Sequence, residues 1–409
     1  MSPASKERAA RPDLRPIPAG PGNTDPMPGP RSTSPKTRVV VIGMGDTGVL
    51  VATHLGRGFD VVGVSTKPAL VSGQELGTRL ADPDTWRRNY LTPLDRFRRL
   101  DRVSVVHGAV TGVDTEAKVV TVDVADGAPR SLPYDVLVIA SGTTNGFWRR
   151  SEVEDLAAVE AGIDDVASSI GRAGSMAIIG GGPTGVSSAY NLAKQRTDLD
   201  VHLFYGQDEP LPGYHPRTRK RLACELTDVG VQLHPGHRAS IPDGSRTDRL
   251  TTEPVEWSTG QDPFTADVVL WSIGDVRPNS RFLPEGMLDD AGFVTVDEHL
   301  RVPGFRDVFA VGDVAASDPA RSSARNFGYR VVVRNIRAAA SGKSKLASFK
   351  PPKYRWGSIV GLQDDGMVIH QPNGTAFRVP RWAAQRVLLD VLTRTAIYGG
   401  VRSEGRTSR

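Results

Sequence analysis

Three glycines close a β-branched run in "VVVIGMGDTG", at Gly43, Gly45 and Gly48. Between a strand and a helix this spacing suits the holding of a pyrophosphate. Gly43 permits the tight turn, Gly45 lets the backbone approach the phosphates, and Gly48 lets the helix pack closely on the strand. The free N–H groups and dipole of that helix attract the anion, with Asp46 and Thr47 in the same loop. A glycine turn in any α/β protein is the plainer reading of one such loop. The pattern recurs, however, in "SMAIIGGGPTGVSSAYNLAKQ", which places Gly180, Gly182 and Gly185, with Pro183 and Thr184 among them, after a second apolar run. Two such loops, each opening its own βαβ unit, point to two dinucleotides on one chain, typically a flavin and a nicotinamide.

Other stretches repeat the device. "YDVLVIASGTT" sets an apolar strand before Ser141 and Gly142, and "ADVVLWSIGDVRPNS" does the same before Gly274. "VFAVGDVA" ends a buried strand in Gly312 and Asp313, whose carboxylate can accept bonds from flavin ribityl hydroxyls or cap a helix. Cys224 is the single cysteine, so neither a disulfide framework nor a C-x-x-C redox or zinc pair can form within the chain. Redox chemistry must then come from a bound cofactor, and no metal site is expected.

The elements that position these residues follow from pattern. "RVVVIG" reads as a strand, "TGVLVATHLGRG" as a helix closed by glycine and "FDVVGVS" as a second strand, the βαβ unit of a parallel sheet. The second loop repeats the order and ends in "DVHLFY". The fold class expected is α/β, with two Rossmann-like domains. A length of 409 residues suits two to three domains. Residues 1–36 are rich in Pro, Gly, Ser and charge and are expected to be disordered. The net charge of +5 is modest and its basic residues interleave with acids, which argues against nucleic acid. No apolar stretch reaches the roughly 18 residues that span a bilayer, and the N-terminus has no apolar signal core, so a cytoplasmic location is expected.

With these motifs in order, the sequence resembles the flavoproteins of the pyridine nucleotide-disulfide oxidoreductase fold. Within them it is most similar to the branch without a redox disulfide: the apoptosis-inducing-factor-like ferroptosis-suppressor quinone reductases and the type II NADH:quinone dehydrogenases. The resemblance implies FAD on the first loop and NAD(P)H on the second, in an NAD(P) domain inserted into the FAD domain. The implied division is 37–150 and 275–345 for FAD, 151–274 for NAD(P) and 346–409 for a C-terminal interface segment. Carried over, Gly43, Gly45, Gly48, Ser141, Gly142, Gly312 and Asp313 match the family's FAD contacts. Gly180, Gly182, Gly185 and Gly274 match its nicotinamide-nucleotide contacts.

Three positions depart from the family. Ser65 stands where a ribose-binding acid is usual, and a neutral serine contributes less than a carboxylate. Tyr205 occupies the corresponding place in the second unit, with neither an acid for a free ribose nor an arginine for a phosphate, so NADH versus NADPH stays open. Ser187 replaces a Glu that faces the nicotinamide, which bears on positioning and rate.

The mechanism implied is ping-pong: NAD(P)H gives hydride to flavin N5, the oxidised nucleotide leaves, and a second acceptor takes the electrons. That acceptor is expected to be a quinone or similar small molecule. A small iron-sulfur protein as acceptor, or a nucleotide-sensing regulator with little turnover, are the alternatives. A helix beginning between Arg321 and Asn326 would aim its N-terminus at the flavin, with Phe327 and Tyr329 as acceptor-side candidates or ordinary core aromatics. His215 with Arg217, Arg219 and Lys220 reads as a phosphate contact or a solvated helix face. The tail carries Trp382, Val387, Leu388, Val391, Leu392 and Ile397 among Arg381, Arg386, Arg394, Arg402 and Arg406. It reads as a basic amphipathic segment lying on an anionic membrane face, or else packing on the FAD domain or on a second subunit of a homodimer.

Overall fold

The structure is a computed structural model describing residues 36–144, 150–241, 247–274, 276–319, 321, 327–351 and 353–403. Apart from Lys36, the arm expected to be disordered lies outside the described residues, as does Asn326.

The chain opens with β1 (Arg38–Ile42), α1 (Asp46–Leu55) and β2 (Asp60–Ser65). A short antiparallel pair, β3 (Ala69–Val71) and β4 (Leu91–Pro93), brackets α2 (Leu76–Ala81) and α3 (Pro83–Tyr90). Next come β5 (Val103–Asp114), β6 (Val119–Val124), β7 (Arg130–Pro133), β8 (Val136–Ile139) and β9 (Thr143–Thr144). Then follow α4 (Leu156–Gly171), β10 (Ser175–Ile179), α5 (Pro183–Gln195), β11 (Asp200–Phe204), α6 (Pro216–Asp228), β12 (Gln232–His234) and β13 (Val268–Trp271). The chain returns through β14 (Arg277–Pro278), β15 (Val308–Ala310) and α7 (Gly328–Ala340). It ends with β16 (Leu362–Gln363), β17 (Gly366–His370), β18 (Ala376–Val379), α8 (Arg381–Ala383) and a wide helix over Ala384–Ile397.

The first sheet has the order β15-β8-β1-β2-β5-β6-β7. Its β15, β8, β1, β2 and β5 are mutually parallel, and β6 and β7 add an antiparallel flap. The second sheet, β12-β11-β10-β13, is wholly parallel and comes from the stretch of chain between β8 and β15. Both central strands read as unbroken apolar runs because both faces are covered. Val39 and Val41 pack under α1 and α7, while Val40 and Ile42 join Leu137, Val120 and Val122 on the other face. Met176 and Ile178 likewise face α5, and Ala177 and Ile179 meet Phe204 and Trp257.

The helix expected to begin between Arg321 and Asn326 begins instead at Gly328. Phe327 precedes it with φ +59°, a left-handed turn that stops the helix from extending backwards. Its first turn is packed against Val311, Leu300 and Phe349.

Candidate functional site

In each sheet the strand order reverses beside the first strand of its βαβ unit, and a crevice opens there at the carboxyl ends of the strands. In the first sheet β1 lies between β2 and β8, with the Gly43 N–H donating to the Val64 carbonyl and the Ala140 N–H to that of Ile42. In the second, β10 lies between β11 and β13, with Gly180 bonded to Phe204 and Ser272 to Ile179 in the same way. The two glycine loops thus occupy equivalent places in two copies of one design.

Their glycines divide the work identically. Gly43 (φ +93°) and Gly180 (φ +121°) turn tightly against Ala140 and Ser272, where a side chain would strike backbone. A side chain on Gly48 would strike the Gly43 carbonyl, and one on Gly185 that of Gly180. Gly45 and Gly182, by contrast, face open space. They cap α1 and α5 with extended backbone and no side-chain bond, leaving the helix N–H groups for a ligand. Pro183 opens α5, where its missing N–H costs nothing.

The crevices merge into one cleft of about 2120 Å³, well beyond the roughly 300–1,000 Å³ of a site for one small molecule. Gly43, Gly45, Asp46, Thr47, Ser65, Ser141, Gly142, Gly312 and Asp313 line its first part. Gly180, Gly182, Pro183, Thr184, Ser187, Tyr205 and Gly274 line its second. Gly48 and Gly185 lie behind the loops, where they pack helix on strand. The open glycines, the uncapped helix ends and the cleft volume fit two dinucleotides lying on the two loops.

Several polar groups are already committed. The Asp46 carboxylate accepts from Ser72 Oγ at 2.7 Å and from the Gly73 N–H at 2.8 Å, so it pins the loop before α2 rather than standing free beside a phosphate. Ser141 Oγ donates to the Asn279 carbonyl at 2.6 Å, and Asn279 Nδ2 returns a bond to the Ser141 carbonyl at 3.1 Å. Beside Ser65, Lys67 meets Glu154 at 3.0 Å with both side chains about nine-tenths buried. Burial pulls the Lys67 ammonium below its ordinary range, and bonding to Glu154 works against that shift. Sequence reasoning missed this pair because its halves are far apart in the chain and only the fold joins them.

Ser187 is buried at the mouth of α5, its carbonyl bonded to Asn191 Nδ2 at 2.8 Å. Gly77 of α2 lies so close that any side chain there would strike Ser187. The first turn of α2 fills the space into which a longer residue at 187 would extend. Glu75, at the head of α2 with φ +52°, lines the cleft from that side and is a second residue the sequence did not disclose.

Other candidates move away from the site. Tyr329 is 1% exposed, packed among Val332, Val333 and Ile336 and 5.2 Å from the His54 ring, and neither it nor Phe327 lines the cleft. An aromatic on the buried stripe of an amphipathic helix reads the same in sequence whether it faces core or ligand. His215 caps α6, accepting from the Arg217 N–H at 3.2 Å, while Arg219 bonds the carbonyls of Glu209 and Pro210. This run, with Lys220, is a helix face outside the cleft.

In the tail, Trp382 is 69% exposed, and Val387, Val391 and Leu392 are also bare. Arg381 pairs with Asp364, Arg394 with Asp390 and Arg402 with Asp101, so the expected basic face is largely neutralised; Arg406 lies outside the described residues. Among the described residues no helix is long and apolar enough to cross a membrane.

Paired parallel sheets with a glycine loop at each switch point define the class of two-dinucleotide flavin oxidoreductases. The chain belongs to the pyridine nucleotide-disulphide oxidoreductase family, whose profile matches residues 37–341. It is 28% identical over 299 residues to Oxidoreductase ptaL of Pestalotiopsis fici, covering 70% of this chain and 75% of that one. It is 24% identical to ferroptosis suppressor protein 1 of Xenopus tropicalis, covering 78% and 85%. The sulfide:quinone oxidoreductase of Aquifex aeolicus superposes with a TM-score of 0.65 at 14% identity, covering 90% and 93%. The protein is an NAD(P)H-dependent flavin oxidoreductase using FAD.

Proposed function

We propose that this enzyme passes electrons from NAD(P)H, through bound FAD, to a quinone or similar small acceptor. The observation that carries the reading is a continuous cleft with a nucleotide loop at each end, on a chain whose one cysteine, Cys224, is exposed on α6. No dithiol within the chain is available to relay electrons, so on this reading they pass from the cofactor to the acceptor directly. A solved relative named for a quinone substrate supports the choice of acceptor.

FAD, when bound, supplies a group that takes hydride on one face and yields electrons on demand. The chain supplies position. On this reading the N-termini of α1 and α5 hold the two pyrophosphates. Gly312 and Asp313 face the flavin side, Ser65 and the Lys67–Glu154 pair meet its adenosine, and Ser187 with Gly77 sets how closely the nicotinamide can approach.

The test is anaerobic. Stoichiometric NADPH or NADH bleaches the flavin absorbance, and menadione restores it faster than a ferredoxin does. Initial-rate plots are parallel, as expected for a nucleotide that leaves before the acceptor binds. A flavin that neither nucleotide bleaches would make the protein a nucleotide-binding regulator, and preference for ferredoxin would replace the quinone.

The same reading extends to the tail. Peripheral membrane contact is carried by Trp382, Val387, Val391 and Leu392 through apolar burial, since most arginines nearby are paired. Co-sedimentation with phosphatidylcholine vesicles, lost in Trp382→Glu, is the expected result. A dimer that disperses in that variant would instead assign the face to a second copy of the chain.

A further inference from the structure

Two nicotinamide nucleotides differ only by a phosphate on the adenosine ribose, so the residues at the end of the second strand of the βαβ unit decide between them. A site for the unphosphorylated ribose places a carboxylate there. Here β11 ends at Phe204 and the next residue is Tyr205, whose Cβ lies directly against Gly181 of the glycine loop. Asp208 and Glu209 follow in the chain but do not line the cleft, and Glu209 is turned towards Arg219, 3.5 Å away.

Another loop reaches this point. The Tyr205 N–H donates to the His234 carbonyl at 3.1 Å, the His237 N–H to that of Tyr205 at 3.0 Å, and the Gly236 N–H to that of Gln207 at 3.3 Å. These bonds fasten the loop after β12 alongside residues 205–207. His237 and Arg238 thereby line the cleft together with Tyr205, Gly206 and Gln207. Arg238 Nε lies 3.8 Å from the point where a side chain on Gly206 would begin, so the glycine leaves that space to the guanidinium. Arg238 is exposed and has no ion-pair partner among the described residues. Its backbone is fixed by a bond to Thr259 Oγ1 at 3.2 Å.

His237 is fixed too. Its Nδ1 is 2.9 Å from the Pro235 carbonyl, which can only accept, so Nδ1 carries the hydrogen. Its ring stands edge-on to Trp257 at 4.9 Å. The result is a charged, forked donor set beside the ribose position, with a pinned imidazole next to it; the carboxylate of Asp248, which also lines the cleft, faces Arg249 and Arg277 at 3.8 and 3.9 Å. Such a fork matches the oxygens of a phosphate in bidentate fashion and gains less from a neutral ribose hydroxyl, which offers one oxygen.

We propose that Arg238, with His237 beside it, forms a 2′-phosphate subsite and makes NADPH rather than NADH the preferred hydride donor. The proposal rests on the reductase reading for its activity arm but not for its binding arm. The arginine comes from the loop after β12 instead of from the end of β11, which is why local sequence at Tyr205 shows neither an acid nor a base.

The experiment uses the purified full-length flavoprotein. Binding of 2′,5′-ADP and of 5′-AMP is measured by calorimetry, and kcat/KM is measured for NADPH and NADH with menadione. The wild type is expected to bind 2′,5′-ADP at least about tenfold more tightly than 5′-AMP and to favour NADPH by a similar ratio. Arg238→Ala is expected to bring both ratios close to one, and Arg238→Lys to recover part of each. An unaltered flavin spectrum in the variants certifies their fold. The proposal is overturned if 5′-AMP binds as well as 2′,5′-ADP in the wild type, or if Arg238→Ala leaves the ratios intact. Should neither nucleotide bleach the flavin while 2′,5′-ADP still binds through Arg238, the subsite stands and the reductase reading falls.

Discussion

Individual glycines carry opposite burdens in the two loops, and substitutions separate them. Gly182 opens onto the cleft, so Gly182→Val is expected to cost only the roughly 1 kcal/mol of a poorer N-cap while raising KM for the nucleotide about tenfold or more. Gly185→Val drives a side chain into the Gly180 carbonyl and is expected to cost about 3 kcal/mol or more, read as a fall in Tm. Equal effects of the two would mean that the loop does not cradle a ligand. These positions are legible in sequence because a tight turn, a phosphate approach and a helix packed on a strand each impose a local rule. Arg238 and the Lys67–Glu154 pair are not, since each depends on a contact between distant segments. His234 belongs with them. It stacks on Phe204 at 4.2 Å, bonds His202 at 3.0 Å, and is pushed down to about 4, chiefly by burial and then by His202 and His237. An imidazole with a depressed folded pKa favours the native state fully above its ordinary value of 6.5, and that contribution is lost as pH falls towards 4. Thermal unfolding is therefore expected to show a drop in Tm between those values that is shallower in His234→Phe; parallel profiles would refute it.

At the level of elements, α2 couples the two nucleotide crevices. It leaves the first sheet's neighbourhood, buries Leu76 and Leu80 in the core around α5, and sets Gly77 on Ser187. Gly77→Val is expected to destabilise the protein by about 1–3 kcal/mol and to lower kcat/KM, because the added bulk separates α2 from α5 at the mouth of the cleft. A variant as active as wild type would show that this contact does not govern the distance between the two nucleotides. The repeated strand, turn and helix were readable from period and glycine position. The contact of α2 with α5 was not, because a six-residue helix carries too little pattern to say what it packs against. The start of α7 was misplaced for a similar reason, since nothing in "RNFGYR" marks the left-handed backbone of Phe327 that delays it.

For the molecule as a whole, two parallel sheets share one cleft, and the return of the chain to β15 closes the first around it. The parallel βαβ unit behind each crevice was implied by motif order, whereas the order of the strands in each sheet was not. The antiparallel flap β6–β7 and the three-stranded unit β16–β18 went unread. The C-terminal segment is held at both ends. Arg381 is tied to Asp364 at its start, and beyond its last turn Tyr398 meets Phe97 edge-on at 5.1 Å, while Gly400 and Arg402 bond the segment around Arg96 and Arg98. Anything that settles on its bare face meets a surface already set in shape, with little ordering left to do on arrival. Because most of the cations around it already have local counterparts, with Arg386 the exception among the described residues, raising the ionic strength should loosen that attachment only a little, whereas warming from near freezing should tighten it.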